Sequence, residues 1–207
     1  MKPIVLLDID YTLLDARKLG MLTVDHLKGK FRKIIRVVGK QDWKALWALL
    51  KPEFQGLSYI LFGNPAGFLQ SPSVRASFLN PVHYQKSLFE DVLPALKRLQ
   101  GKVSLGVFSQ GLTHWQFAKL YLSGIEKYFE REILFVFPPR KVDKAREVLA
   151  QLPPNAKIYF VDDRLDVTEA LSNHRVKVFL IRRDPRPISE NGRVTKIKSL
   201  REILNFI

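Results

Sequence analysis

The chain contains no cysteine among its 207 residues. Disulfides, thiolate nucleophiles and the usual structural zinc sites are therefore excluded. Long apolar runs are also missing, because the first run, Ile4 to Leu7, is stopped by Asp8, too soon for a secretory signal or a membrane span. We therefore expect a soluble protein in the cytoplasm, with no membrane partner.

Acidic residues are in short supply, with 20 Asp and Glu against 34 Lys and Arg, which gives a formal charge of +14. Such an excess attracts anionic ligands, and nucleic acid, phosphorylated metabolites and acidic lipids are all candidates. A basic surface that is merely solvated is the alternative. Hydrophobic residues make up 46% of the chain, enough for one main domain with a smaller one inserted into it.

Five short apolar runs alternate with stretches of helical spacing. The runs cover 4–7, 103–108, 133–137, 158–161 and 176–181, and the helical stretches between them cover 112–122, 142–152 and 167–171. Because each run is continuous rather than alternating, it predicts a buried parallel strand. The pattern predicts an α/β fold, a Rossmann-like parallel sheet with helices on both faces.

Roughly ninety residues separate the first two predicted strands, whereas an ordinary crossover needs about a dozen. This stretch predicts a domain of its own, with helices over 22–38 and 41–50 and an irregular part over 51–81 that is broken by prolines and glycines. A helix over 88–99 leads into the second strand. The chain ends in a polar loop over 182–192, a short apolar segment over 194–197 and a helix over 200–206. We predict an α/β core of 1–15 and 88–207 and a mainly helical insert of 16–87.

Polar side chains follow the first predicted strand at Asp8, Asp10 and Thr12. Ligands of open α/β sheets bind at the carboxyl ends of the strands. Two neighbouring carboxylates repel each other when buried, and a divalent cation relieves that cost. The alternative is a pair of acids that caps the end of the strand without a catalytic role.

The second and fourth predicted strands also end in polar residues. Ser109 and Gln110 bring a hydroxyl and backbone N–H groups, which are phosphate ligands by chemistry; turn formation, with Thr113 capping the next helix, is the alternative. Asp162, Asp163 and Asp166 follow the fourth strand. Carboxylates of this kind suit Mg²⁺, although acids also stabilise a helix N-terminus.

Taken together, these motifs resemble the phosphatase branch of the haloacid dehalogenase superfamily in order and spacing. The matching residues are Asp8-Ile9-Asp10-Tyr11-Thr12, Ser109, Lys141 and Asp162-Asp163. The resemblance covers residues 2 to about 20 and then 88 to the end. The insert is placed like the helical cap of that family.

The resemblance implies a role for each matching residue. Asp8 would be the nucleophile that forms an aspartyl-phosphate, and Asp10 would be the general acid and base. An acid at position 10 favours phosphoryl transfer over dehalogenation. Mg²⁺ would be held by the carboxylates of Asp8 and Asp163 and by the backbone carbonyl of Asp10.

The resemblance also implies the phosphate ligands, with Thr12 ordering the loop and Ser109, Gln110 and Lys141 at the phosphate. Lys141 and Lys144 both lie near the start of the helix that follows the third predicted strand. Lys141 lies closer to the centre of the apolar stripe by which this helix faces the sheet, so we expect Lys141 rather than Lys144 to reach Asp8.

One motif departs from the family pattern. Asp162 stands where glycine is common, and Val167 stands where the family has an acid four residues after Asp163. The metal ligand could therefore be Asp162, Asp163 or both, with Asp163 preferred. Asp166 is expected to be a supporting acid.

The insert carries nine of the fourteen net positive charges, from twelve basic and three acidic residues. A basic cap favours a small phosphorylated metabolite with a further anionic group, while a solvated helix face is the alternative. We therefore expect a Mg²⁺-dependent phosphomonoester hydrolase. The alternatives are a phosphotransferase or mutase of the same family and a basic protein that binds polyanions, nucleic acid being the less favoured partner; the oligomeric state stays open.

Overall fold

Six parallel strands form one sheet at the centre of the fold. They are seen in a computed structural model of the protein, which describes residues 1–38, 51, 71–138, 140–172, 174, 176–183 and 194–207. The strands are β1 (Ile4–Leu7), β2 (Ser104–Gln110), β3 (Leu134–Phe137), β4 (Ile158–Asp162), β5 (Lys177–Ile181) and β6 (Thr195–Ile197). Their order across the sheet is β3-β2-β1-β4-β5-β6, and all neighbours are parallel. The carboxyl ends of β1, β2 and β4 therefore meet at one edge.

Seven α-helices and four 3-10 helices lie within the described residues. The α-helices are α1 (Ala16–Val38), α2 (Pro72–Phe78), α3 (Pro81–Ser87), α4 (Val92–Leu99), α5 (Thr113–Ser123), α6 (Ala145–Gln151) and α7 (Leu165–Leu171). The 3-10 helices are Glu126–Tyr128, Arg131–Ile133, Lys141–Lys144 and Leu200–Asn205. Among the described helices, none is both long and apolar enough to span a membrane.

Apolar side chains cover both faces of the sheet. Along β1, Val5 and Leu7 belong to one buried cluster, whereas Ile4 and Leu6 belong to another, as the alternation of side chains along a strand requires. Helices α4 and α5 contribute to the first cluster, and α6 and α7 to the second. The predicted α/β fold, with a parallel sheet and helices on both faces, is therefore confirmed.

The expected helix over 88–99 begins only at Val92. Leu88 instead forms an isolated bridge with Leu14, and the Phe89 N–H donates to the Leu13 carbonyl at 3.2 Å. These contacts hold 88 and 89 against the loop that follows β1. Apolar spacing alone therefore placed the start of this helix too early.

The expectation of an irregular stretch over 51–81 is wrong for its described end. Two helices, α2 and α3, begin at Pro72 and Pro81. Proline is well tolerated in the first turn of a helix, where its missing N–H has no intrahelical partner, and Ser71 Oγ caps α2 by accepting from the Val74 N–H at 3.2 Å. Residues 41–50 and 184–192, where a helix and most of a loop are predicted, lie outside the described residues.

Two further helix ends differ from expectation. Thr113 is the first residue of α5 rather than its cap, since Leu112 occupies the cap position without a side-chain hydrogen bond. The closing helix over 200–206 is a 3-10 helix, Leu200–Asn205, and Ser199 and Glu202 form a capping box at its start.

The chain divides into two compact units. The first comprises Met1–Ala16 and Ser87–Ile207 and contains the whole sheet, while the second comprises Arg17–Lys86. In the second unit the Tyr84 hydroxyl donates to the Phe78 carbonyl at 2.6 Å, which ties α3 to the end of α2. The role of the second unit as a cap stays a prediction.

A partly buried ion pair ties the C-terminal part of the first unit to the loop after β1. Arg183 Nη1 lies 2.6 Å from Asp91 Oδ1, and Nη2 donates to the Thr12 carbonyl at 2.8 Å. Asp91 Oδ2 accepts from Ser199 Oγ at 2.9 Å and from the Leu200 N–H at 2.7 Å. Burial raises the pKa of Asp91, but the bonds from Arg183 and Leu200 outweigh it and leave the pKa below its ordinary value.

We predict that Asp91→Asn lowers the free energy of unfolding by about 2 kcal/mol at neutral pH, because it leaves the partly buried Arg183 without its counter-charge. Since the folded-state pKa of Asp91 is lowered, this stabilisation is present above about pH 4 and is lost as the pH falls through the folded-state pKa. Urea unfolding at several pH values measures the difference.

Asp143→Asn is the matched control, because Asp143 pairs with Arg140 on the surface, where the two side chains are 54% and 82% exposed. Its expected effect is within about 0.5 kcal/mol. Equal effects of the two substitutions at neutral pH would contradict the stabilising role of Asp91.

Candidate active site

Asp8 directly follows β1 and is only 5% exposed. Behind it the chain turns, because the Ile9 carbonyl accepts from the N–H groups of Leu13 at 2.9 Å and Leu14 at 3.0 Å. Tyr11 adopts the left-handed region, with φ at 57°, which is uncommon for a residue other than glycine. The strand therefore ends before Asp8, and Asp8 and Asp10 lie in the turn that follows it.

A buried ammonium joins two carboxylates at the centre of the site. Lys141 Nζ lies 2.8 Å from Asp8 Oδ1 and 2.5 Å from Asp162 Oδ2, and the three side chains are at most 7% exposed. Nζ also donates to the Phe108 carbonyl at 3.3 Å. The ends of β1, β2 and β4 thereby converge on one lysine, which follows β3.

Lys144, the other lysine near this helix start, lies on the surface. Its Nζ pairs with Glu147 at 2.7 Å, and its side chain is 47% exposed. Residues 141–144 form a 3-10 helix, with α6 starting at Ala145. The structure therefore places Lys141, and not Lys144, on Asp8.

The charges at this centre shift the pKa of several members. Burial lowers the pKa of Lys141, but the carboxylates of Asp8 and Asp162 more than offset this and raise it. Burial and then the charge of Asp8 raise the pKa of Asp162 to about 7 and that of Asp163 to about 6. The part of these shifts that comes from Asp8 reflects three carboxylates near one ammonium, a surplus of negative charge that a cation would relieve.

Asp8, Asp162 and Asp163 form a cluster with the donor chemistry of a metal site. One carboxylate oxygen of each lies within 4.8 Å of the others, and oxygen ligands of this kind suit Mg²⁺. Both oxygens of Asp162 are already engaged, Oδ2 by Lys141 and Oδ1 by the Arg164 N–H at 3.0 Å. Asp8 and Asp163 are therefore the members better placed to serve a cation.

Two buried hydroxyls lie at the same edge of the sheet. Thr12 Oγ1 and Ser109 Oγ have no hydrogen-bond partner within the part of the chain that the structure describes. Ser109 stands two residues beyond Val107, which pairs with Leu7 next to Asp8. Burying a hydroxyl group without a hydrogen-bond partner costs stability. An oxyanion bound at this edge of the sheet would provide that partner.

Gln110 and Asp166 are held at the site by Arg164. Gln110 Oε1 accepts from the Lys141 N–H and from Arg164 Nη1, both at 3.3 Å. Arg164 pairs with Asp166 at 2.6 Å and lowers the pKa of that carboxyl. Asp166 is 64% exposed and is not a member of the three-carboxylate cluster. The supporting role expected of Asp166 stays a prediction.

Asp10 has a separate cation, which our reading of the sequence did not identify. Lys119 Nζ lies 2.7 Å from Oδ1 and 2.6 Å from Oδ2 of Asp10, and Gln116 Nε2 donates to Oδ2 at 3.0 Å. The signal is present in α5, whose inward stripe is Gln116, Lys119, Leu120 and Ser123. A lysine and a glutamine on a buried helix face indicate a buried polar partner.

We predict that Lys141→Met lowers the free energy of unfolding by about 3 kcal/mol in the absence of divalent ions, because it leaves Asp8 and Asp162 buried and facing each other. The matched control is Lys144→Met, which breaks only a surface pair and should stay within about 0.5 kcal/mol. Denaturant unfolding of both variants measures the difference. A loss no larger at Lys141 than at Lys144 would refute the central place of Lys141.

No protein-family model matches the chain, and no curated protein sequence matches it either. Solved structures do match. One is YfnB from Bacillus subtilis, which is classed as a haloacid dehalogenase (HAD) hydrolase and whose structure was solved with magnesium bound. It is 17% identical to this chain with a TM-score of 0.62, and the match covers 99% of this chain and 98% of that one. A HAD phosphatase from Thermococcus onnurineus is 20% identical with a TM-score of 0.60, covering 100% and 97%.

A 2-haloacid dehalogenase from Pseudomonas syringae matches at 16% identity with a TM-score of 0.60, covering 99% of this chain and 97% of that one. A phosphatase and a dehalogenase thus share the architecture, so the choice between these reactions depends on the residues of the site. The chain has the fold of the haloacid dehalogenase-like hydrolases.

Proposed function

We propose that the protein is a Mg²⁺-dependent phosphomonoester hydrolase that acts through an aspartyl-phosphate on Asp8. The observation that carries this proposal is the buried Asp8 carboxylate, held at Oδ1 by Lys141 and clustered with Asp163. A buried carboxylate that is held by a cation and lies at the ligand-binding edge of an α/β sheet has the placement of a nucleophile.

Mg²⁺ fits the donor set of this site. The carboxylates of Asp8 and Asp163, with the backbone carbonyl of Asp10, would hold the ion, because Asp162 is engaged by Lys141 and Arg164. When bound, the ion neutralises charge between the nucleophile and the phosphoryl oxygens. The raised pKa values of Asp162 and Asp163 are consistent with a cluster that accepts a cation.

The phosphoryl group would be bound by donors that the fold already presents. The hydroxyls of Thr12 and Ser109 are buried without a partner among the described residues, and each can donate to a phosphoryl oxygen. Gln110 adds its backbone N–H and Lys141 its positive charge. Donors of this kind, fixed before the substrate arrives, stabilise the charge of the transition state.

The reaction then takes two steps. In the first, Asp8 Oδ2 attacks phosphorus, the bond from phosphorus to the ester oxygen breaks, and a protonated Asp10 gives its proton to that oxygen. In the second, water attacks the phospho-Asp8 and gives its proton to Asp10, while the bond from phosphorus to Asp8 breaks. Phosphate is released, and both aspartates return to their starting states.

The acid at position 10 favours a phosphatase over a dehalogenase, because a departing alkoxide needs a proton and a departing halide does not. The substrate class that we favour is a small phosphorylated metabolite with a further anionic group. This choice rests on the nine net positive charges of the insert, which favour anionic ligands.

The protein is expected to hydrolyse an aryl phosphate in the presence of Mg²⁺ and to lose this activity when a chelator is added. The substitution Asp8→Asn should lower the rate by about 10³-fold or more. Phosphate release measures the rate. Asp143→Asn is the control, since its carboxylate lies in an exposed surface pair, and it should keep full activity.

Full activity in Asp8→Asn, with deamidation excluded by intact mass, would contradict the covalent mechanism. Transfer of phosphate to an added alcohol in preference to water would favour a phosphotransferase. Salt-sensitive binding of nucleic acid without phosphate release would favour a polyanion-binding protein.

A further inference from the structure

A lysine and a glutamine from α5 converge on the Asp10 carboxylate. Lys119 Nζ bonds to both of its oxygens, at 2.7 Å and 2.6 Å, and Gln116 Nε2 donates to Oδ2 at 3.0 Å. The side chain of Lys119 is 8% exposed, whereas that of Asp10 is 27% exposed. The cation is thus buried behind the acid, and the acid keeps a face toward solvent.

The backbone around this contact is shaped to let Gln116 approach. Gln116 Nε2 also donates to the Gln110 carbonyl at 2.8 Å, which ties α5 to the end of β2. Gly111 follows at a φ of 147°, and a Cβ at this position would lie 2.5 Å from Gln116 Nε2. A side chain at position 111 would therefore displace the Gln116 amide from its place beside Asp10.

Burying an ammonium beside a single, partly exposed carboxylate adds little stability, because the cost of removing the ammonium from water offsets most of the attraction. An apolar residue at position 119 would complete the inward stripe of α5 without that cost. The lysine is therefore better explained by what it does to Asp10 than by its contribution to folding.

We infer that Lys119, with Gln116, is a positioning residue that fixes the direction of the Asp10 carboxyl group during proton transfer. This inference rests on the proposed function. When one oxygen of Asp10 carries the proton, Lys119 still holds the other oxygen, so the carboxyl keeps its orientation. As the bond from phosphorus to the ester oxygen breaks, the proton passes to that oxygen, and Lys119 again binds both oxygens of the carboxylate.

The test compares esters whose leaving groups differ in their need for a proton. Phenyl phosphate needs one as its bond breaks, whereas 2,4-dinitrophenyl phosphate releases a stable phenolate without one. We expect Lys119→Met to lower kcat/KM for phenyl phosphate by about 30-fold, which is part of the roughly 10²- to 10⁴-fold that acid–base catalysis contributes, and for the dinitrophenyl ester by no more than about threefold. Lys119→Arg restores a cation and should keep the wild-type ratio between the esters.

The same substitution in an Asp10→Ala background should change kcat/KM for either ester by less than about twofold, because no acid is left to position. Lys144→Met is the matched control for removal of a lysine, since it breaks only a surface pair, and it should leave both esters within about twofold. Gln116→Leu removes one of the hydrogen bonds to Asp10 and should give a smaller loss with the same preference, which keeps the test available if Lys119→Met does not fold.

Equal losses for both esters in Lys119→Met, or additive losses in the Asp10→Ala background, would overturn the positioning role while leaving the proposed function intact. A wild-type protein that hydrolyses neither ester with Mg²⁺ would contradict the proposed function, and the inference would fall with it.

Discussion

The balance of charge around Lys141 is the constraint on which the site depends. One buried ammonium lies between Asp8 and Asp162. A carboxylate oxygen of Asp163 lies within 4.8 Å of a carboxylate oxygen of each of these two residues. Moving such groups out of water is costly unless hydrogen bonds complete the geometry. The Phe108 carbonyl completes it for Lys141. Burial and then the negative charge of Asp8 raise the pKa of Asp162 and Asp163, and a divalent cation would relieve that surplus of negative charge.

The order of the strands brings these charges together. Strand β1 lies between β2 and β4, so Asp8 is flanked by Phe108 on one side and by Asp162 on the other. Lys141 follows β3, the next strand beyond β2, and reaches across to both carboxylates. Asp10 is excluded from this balance because Lys119 of α5 provides its counter-charge. Two carboxylates of one short motif are thus held by two different cations.

Much of the fold could be predicted because its signals are local. Continuous apolar runs gave the strands to within one or two residues, and the acids that follow them gave the clustered carboxylates. The start of α4 could not be predicted, because it depends on the bridge between Leu88 and Leu14, two residues that are distant in sequence. The helices that begin at Pro72 and Pro81 were not predicted for a different reason, since proline breaks a helix in its interior but is favoured in its first turn.

Parts of the site depend on contacts that no local pattern contains. Lys119 lies 109 residues from Asp10, and only the burial of its helix face hints at a polar partner. Our proposal of Asp163 rather than Asp162 as metal ligand likewise depends on Lys141 and the Arg164 N–H, which engage Asp162. The sequence pattern located the acids, whereas their cation partners required the three-dimensional arrangement.

The most direct test of the account is to look for the phosphorylated carboxylate itself. A phosphatase that acts through the proposed attack by Asp8 would form an acyl phosphate, which acid preserves and borohydride reduces. The protein would be mixed with Mg²⁺ and an aryl phosphate, quenched in acid within the first turnover, reduced, and mapped by peptide mass spectrometry. The account predicts that position 8 is converted from Asp to homoserine and that no other position is changed. Phosphate release in the first turnover with position 8 unmodified, or with the modification at another residue, would contradict it.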